Sequence, residues 1–308
     1  MAESTEHTPV LSVDDLEISF GARPVVKGVS FQLAPGEIMA LVGESGSGKS
    51  MLGRAIMGLL PGGGAVTRGR ILFQNQEVTS QGSQEELRLM RGRQVGLIFQ
   101  EPLSSLNPSM RIGEQMYEAM REHTDLTEAQ IRERALEMLR QVKLRNPEAL
   151  LKRYPHEFSG GMRQRIMIAS VMMLKPALLI ADEPTTALDA VVQKEVLDIM
   201  AEVARANGTA VILISHDLAV VAAYAARIAV MERGILVEAG TTQSVLARLC
   251  TTIPADFLPP RSLGSPVRSK VRKVLPCLPS RGCGWSSGKS ASSALWQTRR
   301  PMRCAMCP

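Results

Sequence analysis

Apolar and polar residues alternate over 10–33, interrupted by Gly21-Ala22-Arg23-Pro24. The pattern predicts two antiparallel strands, Val10 to Phe20 and Val25 to Leu33. Beyond Pro35-Gly36 the pattern changes. Uninterrupted apolar runs recur at Ile38 to Val42, Ala177 to Ala181, Ala210 to Ile214 and Ile228 to Met231. Each reads as a short strand buried on both faces. Arg70 to Phe73 and Val95 to Phe99 are predicted as further short strands, and the glycine-rich stretch 61–69 as a loop. Helical spacing is expected over about 48–59, 111–144, 191–206 and 218–225, with another helix opening near Ser159. Within 111–144, Thr127 is a plausible N-cap with Gln130 three residues on. The stripe Ile131, Ala135, Leu139 and Val142 reads as core. Asn207-Gly208 ends one helix, and Glu232-Arg233-Gly234 turns into a last strand, Ile235 to Glu238. Strands alternating with helices imply an α/β fold with a mainly parallel sheet and a ligand site at its carboxyl edge.

Composition sharpens this picture by dividing the chain. Of 308 residues, 45% are apolar but only 4% aromatic, so the core is aliphatic. No apolar run approaches the roughly 18–20 residues that span a bilayer. The N-terminus, with Glu3 and Glu6, lacks the basic-then-apolar pattern of an export signal. The formal charge of +6 is an average of unlike parts. Residues 249–308 hold ten Lys/Arg and one acid, or +9, which leaves 26 basic and 29 acidic residues, or −3, in residues 1–248. A slightly acidic body does not suggest nucleic-acid binding. All five cysteines also lie beyond residue 248, and a cysteine-free body suits a reducing compartment.

The chemistry begins at the end of the Ile38 to Val42 strand. Gly43-Glu44-Ser45-Gly46-Ser47-Gly48-Lys49-Ser50 is a complete G-x-x-x-x-G-K-S phosphate loop between a strand and a helix. Its glycines let the backbone wrap phosphates, with N–H groups pointing inward at a helix N-terminus. Lys49 would reach the β- and γ-phosphates, and the Ser50 hydroxyl would hold Mg²⁺. Asp182 ends an apolar strand, where a Mg²⁺-holding carboxylate belongs in a phosphate-loop ATPase. Glu183 beside it could polarise the attacking water as general base. His216 lies just past the next strand and could contact the γ-phosphate; Gln100 could touch Mg²⁺ and the water. Phe20, ending the first strand, either stacks on an adenine ring or is an ordinary core residue.

Together these residues resemble the nucleotide-binding subunits of ABC transporters over about residues 10–248. The resemblance implies an ABC-type P-loop NTPase with a mainly parallel core, an antiparallel β subdomain and a helical subdomain over about 101–174. It makes Gln100 the Q-loop glutamine, Ser159-Gly160-Gly161-Met162-Arg163 the signature, Asp182-Glu183 the Walker B acids, Ala187-Leu188-Asp189 the D-loop and His216 the switch histidine. Met162 stands where Gln is usual, with Gln164 two places later, as in many peptide-type importers. Phe99 to Pro108, Tyr154 to Phe158 and Ala181 to Asp189 look like the dipeptide, oligopeptide and nickel import subgroup. The resemblance further implies ATP and Mg²⁺ as ligands. It implies a second ATPase domain facing the first, so that Ser159 and Gly161 cap the nucleotide of the opposite phosphate loop. It implies two integral-membrane permease subunits, a solute-binding protein acting indirectly, and a place at the cytoplasmic face of the inner membrane. Alternatives are an ABC ATPase acting on nucleic acid or ribosomes, or a truncated inactive product.

The periodicity stops after Arg248. Residues 1–9 are expected to be a flexible N-terminus and 249–308 an unstructured basic tail. Cys277, Cys283, Cys304 and Cys307 raise the alternative of thiolate metal ligation. The favoured reading is a shifted reading frame near codon 248. One base earlier, 248–259 can spell Pro-Leu-His-His-Tyr-Thr-Arg-Arg-Leu-Leu-Ala, which resembles the segment after this domain in peptide-type importers. The same shift over about 281–307 resembles the opening of a second ATPase domain. The chain would then be the first half of a tandem two-ATPase protein.

Overall fold

A computed structural model of the chain describes residues 8–78, 84–99, 106–186 and 188–251. Its centre is a six-stranded sheet of β3 (Ile38–Gly43), β6 (Val95–Ile98), β7 (Leu178–Asp182), β8 (Ala210–Ile214), β9 (Arg227–Glu232) and β10 (Ile235–Thr241). The strand order is β10-β9-β3-β8-β7-β6, parallel throughout except for the β9–β10 hairpin. Side chains alternate between faces with period two. Ala40, Val42, Leu179, Ala181, Val211 and Leu213 enter one core. Met39, Leu41, Leu178, Ile180, Ile212 and Ile214 enter the other. Burial on both sides is why these strands read as unbroken apolar runs.

The first core is roofed by helices. They include α3 (Ile112–His123), α4 (Glu128–Gln141), α6 (Gly160–Met172), α7 (Ala190–Asn207) and α8 (Leu218–Tyr224). The second core is closed by α1 (Lys49–Ile56) and by a smaller antiparallel sheet, β2-β1-β4-β5. That sheet comprises β1 (Leu11–Phe20), β2 (Arg23–Leu33), β4 (Gly64–Phe73) and β5 (Gln76–Glu77). Short helices α2 (Gln84–Met90) and α5 (Pro147–Leu150) and a terminal α9 (Thr242–Thr251) complete the described residues. None of these helices is long and apolar enough to cross a membrane.

Several expectations are corrected. Residues 64–69 are strand, not loop, because β1 is long enough to run alongside them, pairing Phe20↔Gly64, Ser19↔Ala65, Ile18↔Val66 and Glu17↔Arg68. Gly69 has φ +79° and faces a register shift at Asp14–Glu17, where Asp15 also has φ +47°. The glycine marks a bulge rather than a loop; a Cβ there would lie 2.3 Å from the Asp15 carbonyl. The helical stretch 111–144 is two helices. Thr124 leaves helical geometry at φ −142°, and Thr127 restarts it with a reciprocal capping box to Gln130. The predicted helix 48–59 spans only Lys49–Ile56, and β2 begins at Arg23 rather than Val25. α9 runs three residues past the boundary expected at 248. The tail beyond residue 251 and residues 1–7 lie outside the described residues.

Candidate functional site

The phosphate loop turns at the carboxyl end of β3, in the middle of the sheet. Gly43 could be no other residue, since a Cβ would sit 2.1 Å from the Met231 carbonyl of β9. Gly48, with φ +99°, caps α1, and Leu52 N–H donates to its carbonyl at 2.9 Å. Lys49 is only 6% exposed. Its ammonium donates to Gly43 O at 3.0 Å, Glu44 O at 2.7 Å and Ser47 Oγ at 3.2 Å. A cation held inside a ring of backbone on a helix N-terminus is a receptor for anionic oxygens. Ser45 and Gly46 form the exposed outer rim of the loop.

Ser50 points to the end of β7, where its hydroxyl donates to Asp182 Oδ1 at 3.1 Å. Burial pushes the Asp182 carboxyl up, as does the charge of Glu183, against the pull of Ser50, Arg54 and Lys49. A hydroxyl and a carboxylate at this separation are hard oxygen donors. That chemistry fits Mg²⁺, which takes one or two protein oxygens and completes its shell with water and phosphate.

Glu183 begins the loop after β7 with φ +46°, in the left-handed region unusual for a residue with a side chain. Its N–H donates to Ile214 O at 3.0 Å, tying the ends of β7 and β8 together. Its carboxylate meets His216 Nδ1 at 3.0 Å through Oε1 and accepts from Thr186 Oγ1 at 3.0 Å through Oε2. Burial alone would raise the Glu183 carboxyl. The hydrogen bonds from His216 and Thr186, backed by the charges of His216 and Lys49, outweigh it and hold the group below the usual carboxylate range. An ionised carboxylate fixed beside a phosphate receptor can accept a proton from water. A small cavity lies behind the pair, walled by Thr185, Gln193, Leu213, Ser215 and Val220.

The signature residues sit elsewhere. Ser159 caps α6, its hydroxyl accepting from Met162 N–H at 3.4 Å. Gly160 approaches Leu188, and Gly161 approaches Val192 of α7. Met162 is half-buried against the helical core, where an apolar side chain is at home. Asp189 caps α7, accepting from Val191 and Val192 N–H at 3.1 Å each. Phe20 is half-buried at the end of β1, and a Cβ on Gly64 would lie 2.7 Å from its ring. Gln100 and Ala187 lie outside the described residues.

The fold thus gathers Gly43 to Ser50, Asp182, Glu183 and His216 along the carboxyl edge of β3, β7 and β8. Ser159 to Gly161 and Asp189 form a second group around the start of α7. The sequence alone does not single out Thr186, whose contact with Glu183 depends on a turn; its spacing three residues beyond Glu183 is the only signal.

The ABC transporter family profile matches residues 26–186. The chain is 47% identical over 241 residues to the dipeptide transport ATP-binding protein DppD of Bacillus subtilis, covering 77% of this chain and 72% of that protein. It is 44% identical over 276 residues to the peptidoglycan transport ATP-binding protein YejF of Agrobacterium fabrum, covering 88% of this chain but only 50% of that protein. In three dimensions it is similar to cbiO1 of Clostridium perfringens, described as part of the ABC transporter complex cbiONQ. That match has a TM-score of 0.69 at 28% identity, covering 78% of this chain and 91% of the other. Phosphate loop, paired carboxylates and signature, set on this sheet and matched at this level, make the chain a member of the ABC transporter family, as an ATP-hydrolysing ATP-binding subunit.

Proposed function

We propose that this chain powers a peptide-type ABC importer. The phosphate-loop N–H groups and Lys49 hold the β- and γ-phosphates of ATP. Ser50 and Asp182 hold Mg²⁺, with Gln100 as a further ligand. Bound there, Mg²⁺ would supply positive charge to offset the negative charge that develops on the phosphates. Glu183 orients a water and accepts its proton at a carboxylate oxygen. His216 keeps the carboxylate in place and reaches toward the γ-phosphate. Phe20 stacks on the adenine.

Ser159, Gly160, Gly161 and Asp189 serve the opposite site in a head-to-tail pair of ATPase domains, closing over its nucleotide. Closure on two ATPs drives two permease subunits, which place the pair at the cytoplasmic face of the membrane and receive cargo from a solute-binding protein. The relatives' names favour peptides or peptide-containing wall fragments as cargo. The matched region fills half of YejF, which favours a tandem two-ATPase parent protein; a reading-frame shift after about residue 248 would separate this half from the second.

The observation that carries this reading is the meeting of Ser50 with Asp182 at 3.1 Å, one residue before a carboxylate bonded to His216. Phosphate release from Mg-ATP by the purified full chain, against Glu183→Gln, tests it. Loss of turnover with retained ATP binding is expected; equal rates would sink the base assignment. Co-purification with a peptide-type permease pair tests the transport role, and sequencing the gene past codon 248 for an open second frame tests the tandem parent.

A further inference from the structure

The Glu183 carboxylate is bonded at both oxygens, and His216 at one differs in kind from Thr186 at the other. His216 stands on the loop after β8 and its side chain is 47% exposed, so its hold depends on where that loop sits. Thr186 belongs to the same turn as Glu183. The left-handed φ of Glu183 and the Thr186 N–H donating to Glu183 O at 3.4 Å fold residue 186 back over residue 183. The single hydroxyl proton of Thr186 has two acceptors in reach, Glu183 Oε2 at 3.0 Å and Glu183 O at 3.2 Å. The charged carboxylate is the stronger acceptor, and the carbonyl already receives the Thr186 N–H.

We propose that Thr186 is a positioning residue for hydrolysis, its hydroxyl fixing the plane of the Glu183 carboxylate. The inference rests on the reading of Glu183 as the base. The last torsion of a glutamate is broad and roughly two-fold. A carboxylate anchored only through Oε1 to His216 can therefore turn about that bond. A second anchor at Oε2, carried by the residue's own loop, removes the rotation and keeps the group aimed whichever position His216 takes. Each oxygen has about two lone-pair sites, so both bonds leave room to accept a proton from water. The anchor touches neither phosphate nor metal, so it should act on the chemical step and leave nucleotide affinity alone.

The experiment uses the full chain in three forms: Thr186→Val, which keeps shape but removes the hydroxyl, Thr186→Ser, which restores it, and Glu183→Gln. Phosphate release at saturating Mg-ATP gives kcat, and binding of trinitrophenyl-ATP reports affinity separately. Thr186→Val is expected to lower kcat about tenfold, a part of the 10²–10⁴-fold that a positioned base contributes. KM and analogue affinity should stay unchanged, and Thr186→Ser should recover most of the rate. Thr186 is exposed, so the melting temperature should hold; Thr186→Ala serves if valine disturbs the turn. Wild-type turnover in Thr186→Val, an equal loss in Thr186→Ser, or a loss confined to KM overturns the proposal. If Glu183→Gln is inactive while Thr186→Val turns over like wild type, only the anchor is wrong. If Glu183→Gln turns over like wild type, or the wild-type chain shows no turnover, the base assignment fails and the anchor falls with it.

Discussion

Ser50 and Asp182 stand 132 positions apart in sequence, yet the hydroxyl of one donates to the carboxylate of the other at 3.1 Å. The contact exists because α1 lies over β7 and β8, with Gly53 closing on Ile180 and Ile214. It puts a carboxylate where it is useful and costly at once. Burial pushes the Asp182 carboxyl up, so its ionised form opposes folding. A carboxyl whose folded pKa is raised is relatively stabilising below that value, and the benefit disappears as pH rises through it.

Asp182→Asn is therefore expected to remove Mg²⁺-dependent turnover by on the order of a hundredfold or more, since metal ligation supplies several kcal/mol. Without nucleotide or metal it should also melt higher than wild type at pH 7. The gap should narrow as pH falls and the wild-type carboxyl protonates. Calorimetry at two pH values checks this; a variant that melts lower at both would refute it.

Gly161 sets a test of packing against helix propensity. A Cβ there would lie 2.4 Å from Val192 Cγ1, closer than real side chains come. Gly to Ala inside a helix gains roughly 1 kcal/mol in propensity, whereas overpacking costs about 1–3 kcal/mol. The clash should win, and Gly161→Ala should lower the melting temperature. Adding Val192→Ala should reverse the sign, which thermal unfolding of the double variant measures.

Phe20 offers two distinguishable outcomes. If its ring stacks on adenine, Phe20→Ala should weaken ATP binding by roughly two- to tenfold, the 0.5–1.5 kcal/mol of an aromatic pair, and leave inorganic triphosphate binding unchanged. If the ring serves only the small sheet beside Gly64, affinity should hold and the melting temperature should fall.

Tyr224 joins α8 to α7. Its hydroxyl donates to Asp198 Oδ1 at 2.7 Å, and Lys194 holds the other oxygen at 2.6 Å. Burial and Asp198 push the Tyr224 hydroxyl far up. Burial by itself would raise the Asp198 carboxyl, but Lys194 and Tyr224 outweigh it and hold the group low. A depressed carboxyl contributes stability above its unfolded pKa and loses it as pH falls through the folded one. Tyr224→Phe should cost about 1 kcal/mol at pH 7 by denaturant titration. The difference should shrink toward acid, as Asp198 protonates in both proteins.

Residues with local signatures are legible in the sequence. Thr127 with Gln130, Gly208 at the end of α7, and the alternation of β1 and β2 all appear where their spacing predicts. The stretch 64–69 is not, because glycine marks bulges as readily as loops, and the deciding partner, β1, lies some fifty residues away. α9 escapes the sequence for a similar reason: short amphipathic segments acquire their form from the surface they cover.

The chemistry of the phosphate loop and the depth of the strands are already written in the amino-acid order. Eight residues between a strand and a helix specify a phosphate receptor, and an unbroken apolar run can only be buried on both faces. The tertiary structure alone decided the strand order β10-β9-β3-β8-β7-β6, and with it which side chains meet. Periodicity records how much apolar surface an element must hide, not which neighbour hides it. The anchoring of Glu183 between His216 and Thr186 depends on a left-handed turn and on two adjacent strand ends, a long-range arrangement that no local spacing encodes.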